Sequence, residues 1–261
     1  MWTRYVALGD SFTEGLMDVV GPDGRYVGWA DRVAATLAET SPGLQYANLA
    51  VRGRLISQVA AEQVPVACEL RPDLVTLAAG VNDALRRSYD VHACATHLEN
   101  SVRALRGTGA DVVLFAFGDP SRRSSVMGSV SGRIAQANAA TRAIAEEFGC
   151  RVVDFWGVAA FDDDAYWDED RLHLSPRGHA LAARAALEAL GLGDDSWRTP
   201  RASSDPPGLL ARTGGHAAWL GRHFGPWVTR RVRGRSSGDG LVAKRPSWGS
   251  PPPDAYSVDG P

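Results

Sequence analysis

Two short segments of this chain carry residue types that could together perform nucleophilic catalysis. The first is Gly9-Asp10-Ser11-Phe12, which follows a short apolar run at 4–8. A serine directly after a buried strand, at a turn that contains glycine, exposes its hydroxyl and leaves its own backbone N–H free to stabilise an oxyanion. The same position also suits a helix N-cap, so this segment alone only suggests a nucleophile.

The second segment is Asp170-Arg171-Leu172-His173, which ends an acidic stretch that begins at residue 162. Its spacing lets the Asp170 carboxylate accept a hydrogen bond from Nδ1 of His173, which leaves Nε2 as a base toward a serine. Asp168 is the nearest alternative partner, and it fits a local turn less well. The acidic stretch could instead be a divalent-metal site or a solvated loop, although its consecutive carboxylates lack the alternating ligand spacing of a calcium loop.

Donors that suit an oxyanion hole occur after two further apolar runs. Gly53 follows the run at 45–49 and could bring a backbone N–H close to a reacting carbonyl oxygen, or it could be a helix-entry glycine. Asn82, within Gly80-Val81-Asn82-Asp83, offers a side-chain amide donor, with a turn or cap residue as an equal alternative. These residue types thus follow the first, second, third and fifth apolar runs in order, and chance placement of all four is improbable.

The elements that must position these residues are predicted from apolar periodicity. Five strand candidates alternate with five stretches of helical spacing; the strands are at 4–8, 45–49, 74–78, 112–117 and 151–154, and the helices at 28–39, 55–70, 91–105, 132–148 and 176–190. This alternation predicts an α/β protein, a flavodoxin-like three-layer α/β/α sandwich with a five-stranded parallel sheet. Ligands of such sheets bind at the carboxyl ends of the strands.

The same motifs resemble those of the SGNH (GDSL-type) hydrolases, a family of esterases and lipases. Gly9-Asp10-Ser11-Phe12 looks like the nucleophile block, with Phe12 where leucine is common; Gly53, Gly80-Val81-Asn82-Asp83 and Asp170-Arg171-Leu172-His173 look like three further blocks. The similarity covers about residues 4–190. It implies a flavodoxin-like sandwich that hydrolyses esters or thioesters and requires no metal or organic cofactor.

The resemblance also implies a role for each motif residue. Ser11 would be the nucleophile, His173 the general base and then the general acid, and Asp170 the carboxylate that orients the imidazole. The oxyanion hole would consist of the Ser11 and Gly53 backbone N–H groups and the Asn82 side chain. Substrate class is less constrained, because family members act on short-chain esters, lysophospholipids, acyl thioesters and acetylated sugars.

Composition excludes several other classes of protein. The chain has 261 residues, of which 44% are hydrophobic, and a net charge of −2, which is typical of a globular protein. It lacks an apolar run of the ~18 residues that a membrane-spanning helix needs and an N-terminal secretory pattern, so we expect a cytoplasmic protein. Three scattered cysteines are too few for a disulfide framework; they are Cys68, Cys94 and Cys150.

The C-terminal part differs in composition from the rest. Residues 194–261 hold 9 of the 15 prolines, 10 basic and 6 acidic residues. We therefore expect a hydrolase domain at 1–193 and a Pro/Gly/Arg-rich, partly disordered extension at 194–261, similar to the C-terminal segment of many actinobacterial family members. Aromatic residues and arginines at 219–235 could form a short or broken helix that docks on the domain or contacts an anionic membrane surface; we expect no nucleic-acid binding.

The expected function is therefore that of a serine hydrolase that cleaves carboxylic esters through an acyl-enzyme. The substrate would be a short-chain acyl ester, a lysophospholipid or an acetylated small molecule, and this small-molecule ester is the expected partner. An acyltransferase with the same site and a non-catalytic binding module of the same fold are the alternatives. Arg122 and Arg123, in the loop at 119–131, could receive an anionic head group or be solvated loop charges.

Overall fold

The computed structural model describes residues 1–123, 128–199 and 237–253. The strands are β1 (Arg4–Gly9), β2 (Gln45–Asn48), β3 (Leu74–Ala78), β4 (Asp111–Ala116), β5 (Arg151–Asp154) and β6 (Arg245–Gly249). The helices are α1 (Ser11–Glu14), α2 (Gly28–Thr40), α3 (56–70), α4 (Val81–Ala84), α5 (Val91–Gly107), α6 (Ser131–Phe148) and α7 (Pro176–Ala189). Short 3₁₀ turns occur at Pro120–Arg122, Ala159–Asp162, Asp164–Tyr166 and Asp195–Arg198.

The sheet has the strand order β5-β4-β3-β1-β2-β6. Its first five strands are parallel, and their order is that of flavodoxin. The expected α/β/α class is therefore confirmed. The expected strand count is corrected from five to six, because β6 pairs antiparallel with β2 and extends the sheet at that edge. Its Pro246 is tolerated because an edge strand needs only one row of ladder hydrogen bonds.

Helices cover both faces of the sheet, because alternate side chains of β1 enter two separate cores. Tyr5 and Ala7 point into a core that includes residues of α2 and α7. Val6 and Leu8 point into a second core that includes residues of α3, α5 and α6. Because both faces are buried, β1, β3 and β4 have the nearly continuous apolar sequences expected of a doubly covered sheet.

The predicted extension contributes to the folded structure at two places. Trp197, in the turn Asp195–Arg198, is buried in the first core, and β6 joins the sheet. The boundary at residue 193 stays a prediction. The predicted helix and arginines at 219–235 lie outside the described residues. Within the described ranges, no helix is both long enough and apolar enough to cross a bilayer.

One turn of α3 is a π-helix, and it carries a side chain to the end of β1. The π-turn spans Val59–Gln63, and such turns are frequent at functional sites. The buried Gln63 accepts a hydrogen bond from Gly9 N at 2.9 Å and donates one to Gly9 O at 2.8 Å. The side-chain amide thus pairs with both main-chain groups of the last residue of β1.

We predict that Gln63→Ala destabilises the protein by about 1–3 kcal/mol, because it leaves the buried Gly9 N–H without an acceptor. Urea unfolding of both proteins measures this difference. The control is Glu69→Ala, on the exposed side of the same helix, which should change stability by less than about 0.5 kcal/mol. An unfolding midpoint for Gln63→Ala equal to that of Glu69→Ala would contradict the prediction.

Candidate active site

The end of β1 places Ser11 at the carboxyl edge of the sheet. Gly9 has a φ of +148°, and a Cβ there would lie 2.3 Å from Ala78 O, so only glycine fits this turn. Asp10 then caps α1 by accepting a hydrogen bond from Phe12 N at 3.1 Å. Ser11 is the first residue of this four-residue helix, and its hydroxyl faces a cavity.

The loop after β5 brings His173 and Asp170 to the same place. His173 Nε2 lies 3.0 Å from Ser11 Oγ, and His173 Nδ1 lies 2.5 Å from Asp170 Oδ2. The second oxygen of Asp170 accepts the backbone N–H groups of Leu172 and His173, each at 2.9 Å. Asp168 instead contributes its backbone N–H to His173 O at 2.9 Å, which closes the loop. The structure thus joins Ser11, His173 and Asp170 in one hydrogen-bonded series.

Asn82 connects the ends of three strands. Its Nδ2 donates to Asp10 Oδ2 at 2.9 Å, after β1, and to Arg54 O at 3.1 Å, in the loop after β2. Arg54 follows Gly53, whose φ of +75° is in the left-handed region that favours glycine. Among the described residues, no protein acceptor pairs with the backbone N–H of Ser11 or Gly53.

A cavity of about 180 Å³ opens beside these groups. Ser11, Asn82 and His173 line it, whereas Gly53 and Asp170 do not. Most of the other lining residues are apolar and include Phe12, Leu16, Val81, Leu85, Phe117, Val130, Ile134, Phe155, Val158, Phe161 and Trp167. Phe12 also packs against the rings of Trp29 and three phenylalanines, so this side chain joins the cavity wall to the aromatic core.

The two arginines of the loop at 119–131 have partners within the protein. Arg122 Nε pairs with Asp162 at 2.8 Å. Arg123 lines the cavity, stacks over Trp167 at 3.7 Å and donates to Arg171 O at 3.0 Å. Residues 124–127 of this loop lie outside the described residues. In the described part of the chain, no cluster of His, Cys, Asp and Glu is arranged to hold a metal ion.

Comparison with known proteins identifies the family. Residues 7–181 match the GDSL-like lipase/acylhydrolase family. The chain belongs to this family. It is a carboxylic-ester hydrolase. A comparison with curated proteins finds no match.

Solved structures share the fold of this esterase at low sequence identity. One is a variant of an acetyl xylan esterase from Geobacillus stearothermophilus, with 21% identity, a TM-score of 0.61 and coverage of 73% of this chain and 95% of that one. Another is an α/β hydrolase from the metagenome of Lake Arreo, with 23% identity, a TM-score of 0.61 and coverage of 74% and 97%. A third is an esterase from Pseudoalteromonas sp. inhibited by monoethylphosphonate, with 17% identity, a TM-score of 0.56 and coverage of 72% and 97%.

Two buried carboxylates of the esterase have opposite pKa shifts. Burial favours the neutral form of Asp170, but its hydrogen bond and charge interaction with His173 and two backbone N–H groups outweigh this and lower its pKa to about 2. Burial raises the pKa of Asp10 to about 6, opposed by the Phe12 N–H, His173 and Asn82. Asp170 is therefore ionised throughout the neutral range, whereas Asp10 titrates just below neutrality.

Two buried residues that belong to no sequence motif also shape this site; they are His179 and Gln63. His179 is buried, donates from Nε2 to Leu16 O at 3.0 Å and accepts at Nδ1 from Trp29 N. Burial lowers its pKa to about 4, so it is a neutral packing residue. Gln63 carries no recognisable sequence signal, because the π-turn that aims it at Gly9 depends on packing against β1.

We predict that Asp10 makes the stability of the esterase fall as pH rises from about 4 to about 6. The unfolded carboxyl loses its proton near the ordinary pKa of ~3.9, whereas the folded one keeps it to about 6, so the folded state binds more protons within this window. Thermal melts between pH 4 and 8 should show that the Tm difference, Asp10→Asn minus wild type, increases through the window and is constant above it. A Tm difference independent of pH would contradict this.

Proposed function

We propose that this esterase is a serine hydrolase in which Ser11, His173 and Asp170 form the catalytic triad. The observation that supports this most directly is the unbroken hydrogen-bonded series from Ser11 Oγ through the His173 ring to Asp170. Nε2 faces the hydroxyl, so it can accept the serine proton while Nδ1–H remains bound to the carboxylate. Because Asp170 is ionised, it stabilises the imidazolium that forms.

Acylation transfers the acyl group from the substrate alcohol to the serine. Ser11 Oγ attacks the ester carbonyl carbon, and its proton moves to His173 Nε2. The tetrahedral intermediate then collapses, the bond to the alkoxy oxygen breaks, and His173 returns the proton to the leaving alcohol. Water then hydrolyses the acyl-enzyme: its oxygen attacks the acyl carbon while His173 takes its proton, the bond to Ser11 Oγ breaks to release the acid, and His173 returns the proton to Ser11.

The negative charge of each tetrahedral intermediate needs donors that are already in place. The Ser11 and Gly53 backbone N–H groups and the Asn82 side chain would supply them. Asn82 belongs to the cavity wall and is held by Asp10 and by the carbonyl after Gly53. Both hydrogens of this amide are bonded in the free protein, so one of the two bonds gives way to the oxyanion as charge develops, while the other keeps the amide oriented.

The apolar cavity favours an ester with an acyl chain longer than acetyl. Ser11 and His173 lie among aromatic and aliphatic side chains, and each methylene buried there contributes about 0.8 kcal/mol.

The solved relatives support the reaction type. Two acetylxylan esterase variants described as catalytic mutants replace an aspartate and a histidine three positions apart, which is the spacing of Asp170 and His173.

We predict that the wild type hydrolyses p-nitrophenyl octanoate with a kcat/KM at least about tenfold above that for p-nitrophenyl acetate, because the longer chain buries more methylenes. Ser11→Ala should lower kcat on both substrates by roughly 10⁴- to 10⁶-fold. Labelling by a serine-reactive phosphonate, followed by mass spectrometry, should modify the wild type at Ser11 and leave Ser11→Ala unmodified. Undiminished turnover by Ser11→Ala would refute the assignment.

We predict that Asn82→Ala lowers kcat by about 10²- to 10³-fold with a smaller change in KM, because the lost donor acts mainly on the transition state. Steady-state kinetics on p-nitrophenyl octanoate measures both constants. Asn138→Ala is the control: this buried amide pairs with the Phe117 backbone but does not itself line the cavity, so it should reduce stability more than kcat. An equal loss of kcat in the two variants would count against the oxyanion role.

A further inference from the structure

The C-terminal segment 237–249 contacts the surroundings of the proposed site through a buried lysine. Lys244 is the only lysine of the chain, and its side chain is 7% exposed. Its Nζ donates to the carbonyls of Tyr26 and Val27 at 3.0 and 2.5 Å and pairs with Asp31 at 3.1 Å. Three acceptors around one nitrogen suit a tetrahedral ammonium better than a planar guanidinium.

The carbonyls that Lys244 binds belong to a turn that lies directly against α1. The turn continues into Gly28, and a Cβ added to Gly15, which ends α1, would lie 2.5 Å from the Gly28 Cα. Gly28 N also donates to Asp18 Oδ2 at 2.8 Å, just after α1. Because the backbone at Gly28 packs directly on the backbone at Gly15, a shift of this turn also moves α1, the helix that carries Ser11.

A buried hydrogen-bond chain gives Lys244 a second connection to α1. Asp31 accepts a hydrogen bond from the Tyr46 hydroxyl at 2.7 Å, and this hydroxyl accepts one from Asn48 Nδ2 at 3.0 Å. Asn48 Nδ2 also donates to Thr13 O at 3.0 Å. These hydrogen bonds therefore connect Lys244 to the carbonyl of Thr13, two residues beyond Ser11.

The other end of the segment lies against the loop that contains Gly53. A Cβ added to Gly238 would lie 2.0 Å from the carbonyl oxygen of Arg52. Arg52 N donates to Glu14 Oε2 at 2.7 Å, and its Nε lies 2.9 Å from Glu14 Oε1. Gly238 thus packs on the residue that ties the Gly53 loop to α1.

We propose that segment 237–249 is a brace that positions the Ser11 helix relative to the Gly53 loop, with Lys244 and Gly238 as its positioning residues. Neither residue lines the cavity, so both act through the backbone they contact. This inference rests on the proposed function, since the two elements it holds together carry the proposed nucleophile and an oxyanion donor. The polar C-terminal segment would thus position the site, a role that its composition does not indicate.

The first test compares two glycine substitutions within the brace. Gly238→Ala forces the Arg52 carbonyl to move, whereas Gly249→Ala adds a methyl group with no atom within 4 Å. At a temperature well below both Tm values, Gly238→Ala should lower kcat on p-nitrophenyl octanoate and the rate of phosphonate labelling by roughly 10- to 100-fold. Its KM should change less than kcat, and Gly249→Ala should stay within about twofold of wild type in both rates.

A second test separates positioning from the loss of a buried ion pair. Lys244→Met leaves the Asp31 carboxylate buried without its nearest cation, so the single variant should lose both Tm and kcat. In the double variant Asp31→Asn/Lys244→Met the unpaired charge is gone, and Tm should recover most of its loss while kcat stays low, because the Tyr26 and Val27 carbonyls still lack their donor. Recovery of kcat together with Tm would overturn the positioning role.

The outcomes distinguish failure of the brace from failure of the proposed function. If Ser11→Ala abolishes turnover but Gly238→Ala behaves like Gly249→Ala, the function stands and the brace is wrong. If Ser11→Ala remains active, the proposed function fails, and amide hydrogen exchange of residues 50–54 still tests the brace. Faster exchange there in Gly238→Ala than in Gly249→Ala supports it, and equal exchange overturns it.

Discussion

The abrupt turn at the end of β1 is the constraint on which the rest of the site depends. A strand buried on both faces must leave the sheet without exposing its last peptide groups, and the space beside Ala78 O admits no side chain at Gly9. Gln63 pairs with the Gly9 peptide groups, and Asp10 caps the next turn. The direction in which Ser11 leaves the sheet is therefore determined by packing and hydrogen bonding before any substrate is present.

The two carboxylates beside His173 show how burial and hydrogen bonding together separate the pKa values of two neighbouring groups. Asp170 accepts hydrogen bonds from two backbone N–H groups and from the imidazole, and these donors stabilise its anion more than burial destabilises it. Asp10 is more deeply buried, and its donors, Phe12 N and Asn82 Nδ2, do not offset desolvation. The carboxylate with the lowered pKa thus lies on the Nδ1 side of the imidazole, where an anion favours the imidazolium. The group that titrates near neutrality lies beside the proposed oxyanion donor.

Much of the fold and the site was predictable because apolar periodicity locates buried strands and the carboxyl ends of parallel strands meet at one edge. That rule sufficed to bring Ser11, Asn82 and His173 to one cavity. It could not predict β6, whose sequence Arg-Pro-Ser-Trp-Gly lacks the apolar alternation of a strand. Nor could it predict the burial of Lys244, because a buried cation depends on acceptors more than 200 positions away along the chain.

The C-terminal part of the chain differs in composition from the rest. Composition indicates how much apolar core a segment can form, but it does not indicate how firmly that segment is attached to the rest of the fold. Segment 237–249 is held by other means: a buried ammonium, backbone pairing with β2 and a glycine packed on a carbonyl. Without β6, the main-chain groups of β2 would form an open sheet edge, which folded proteins usually cover. Since the loop that follows β2 contains Gly53, the segment that covers this edge lies at the base of the proposed oxyanion loop. A polar segment can therefore be integral to a site to which it contributes no lining residue.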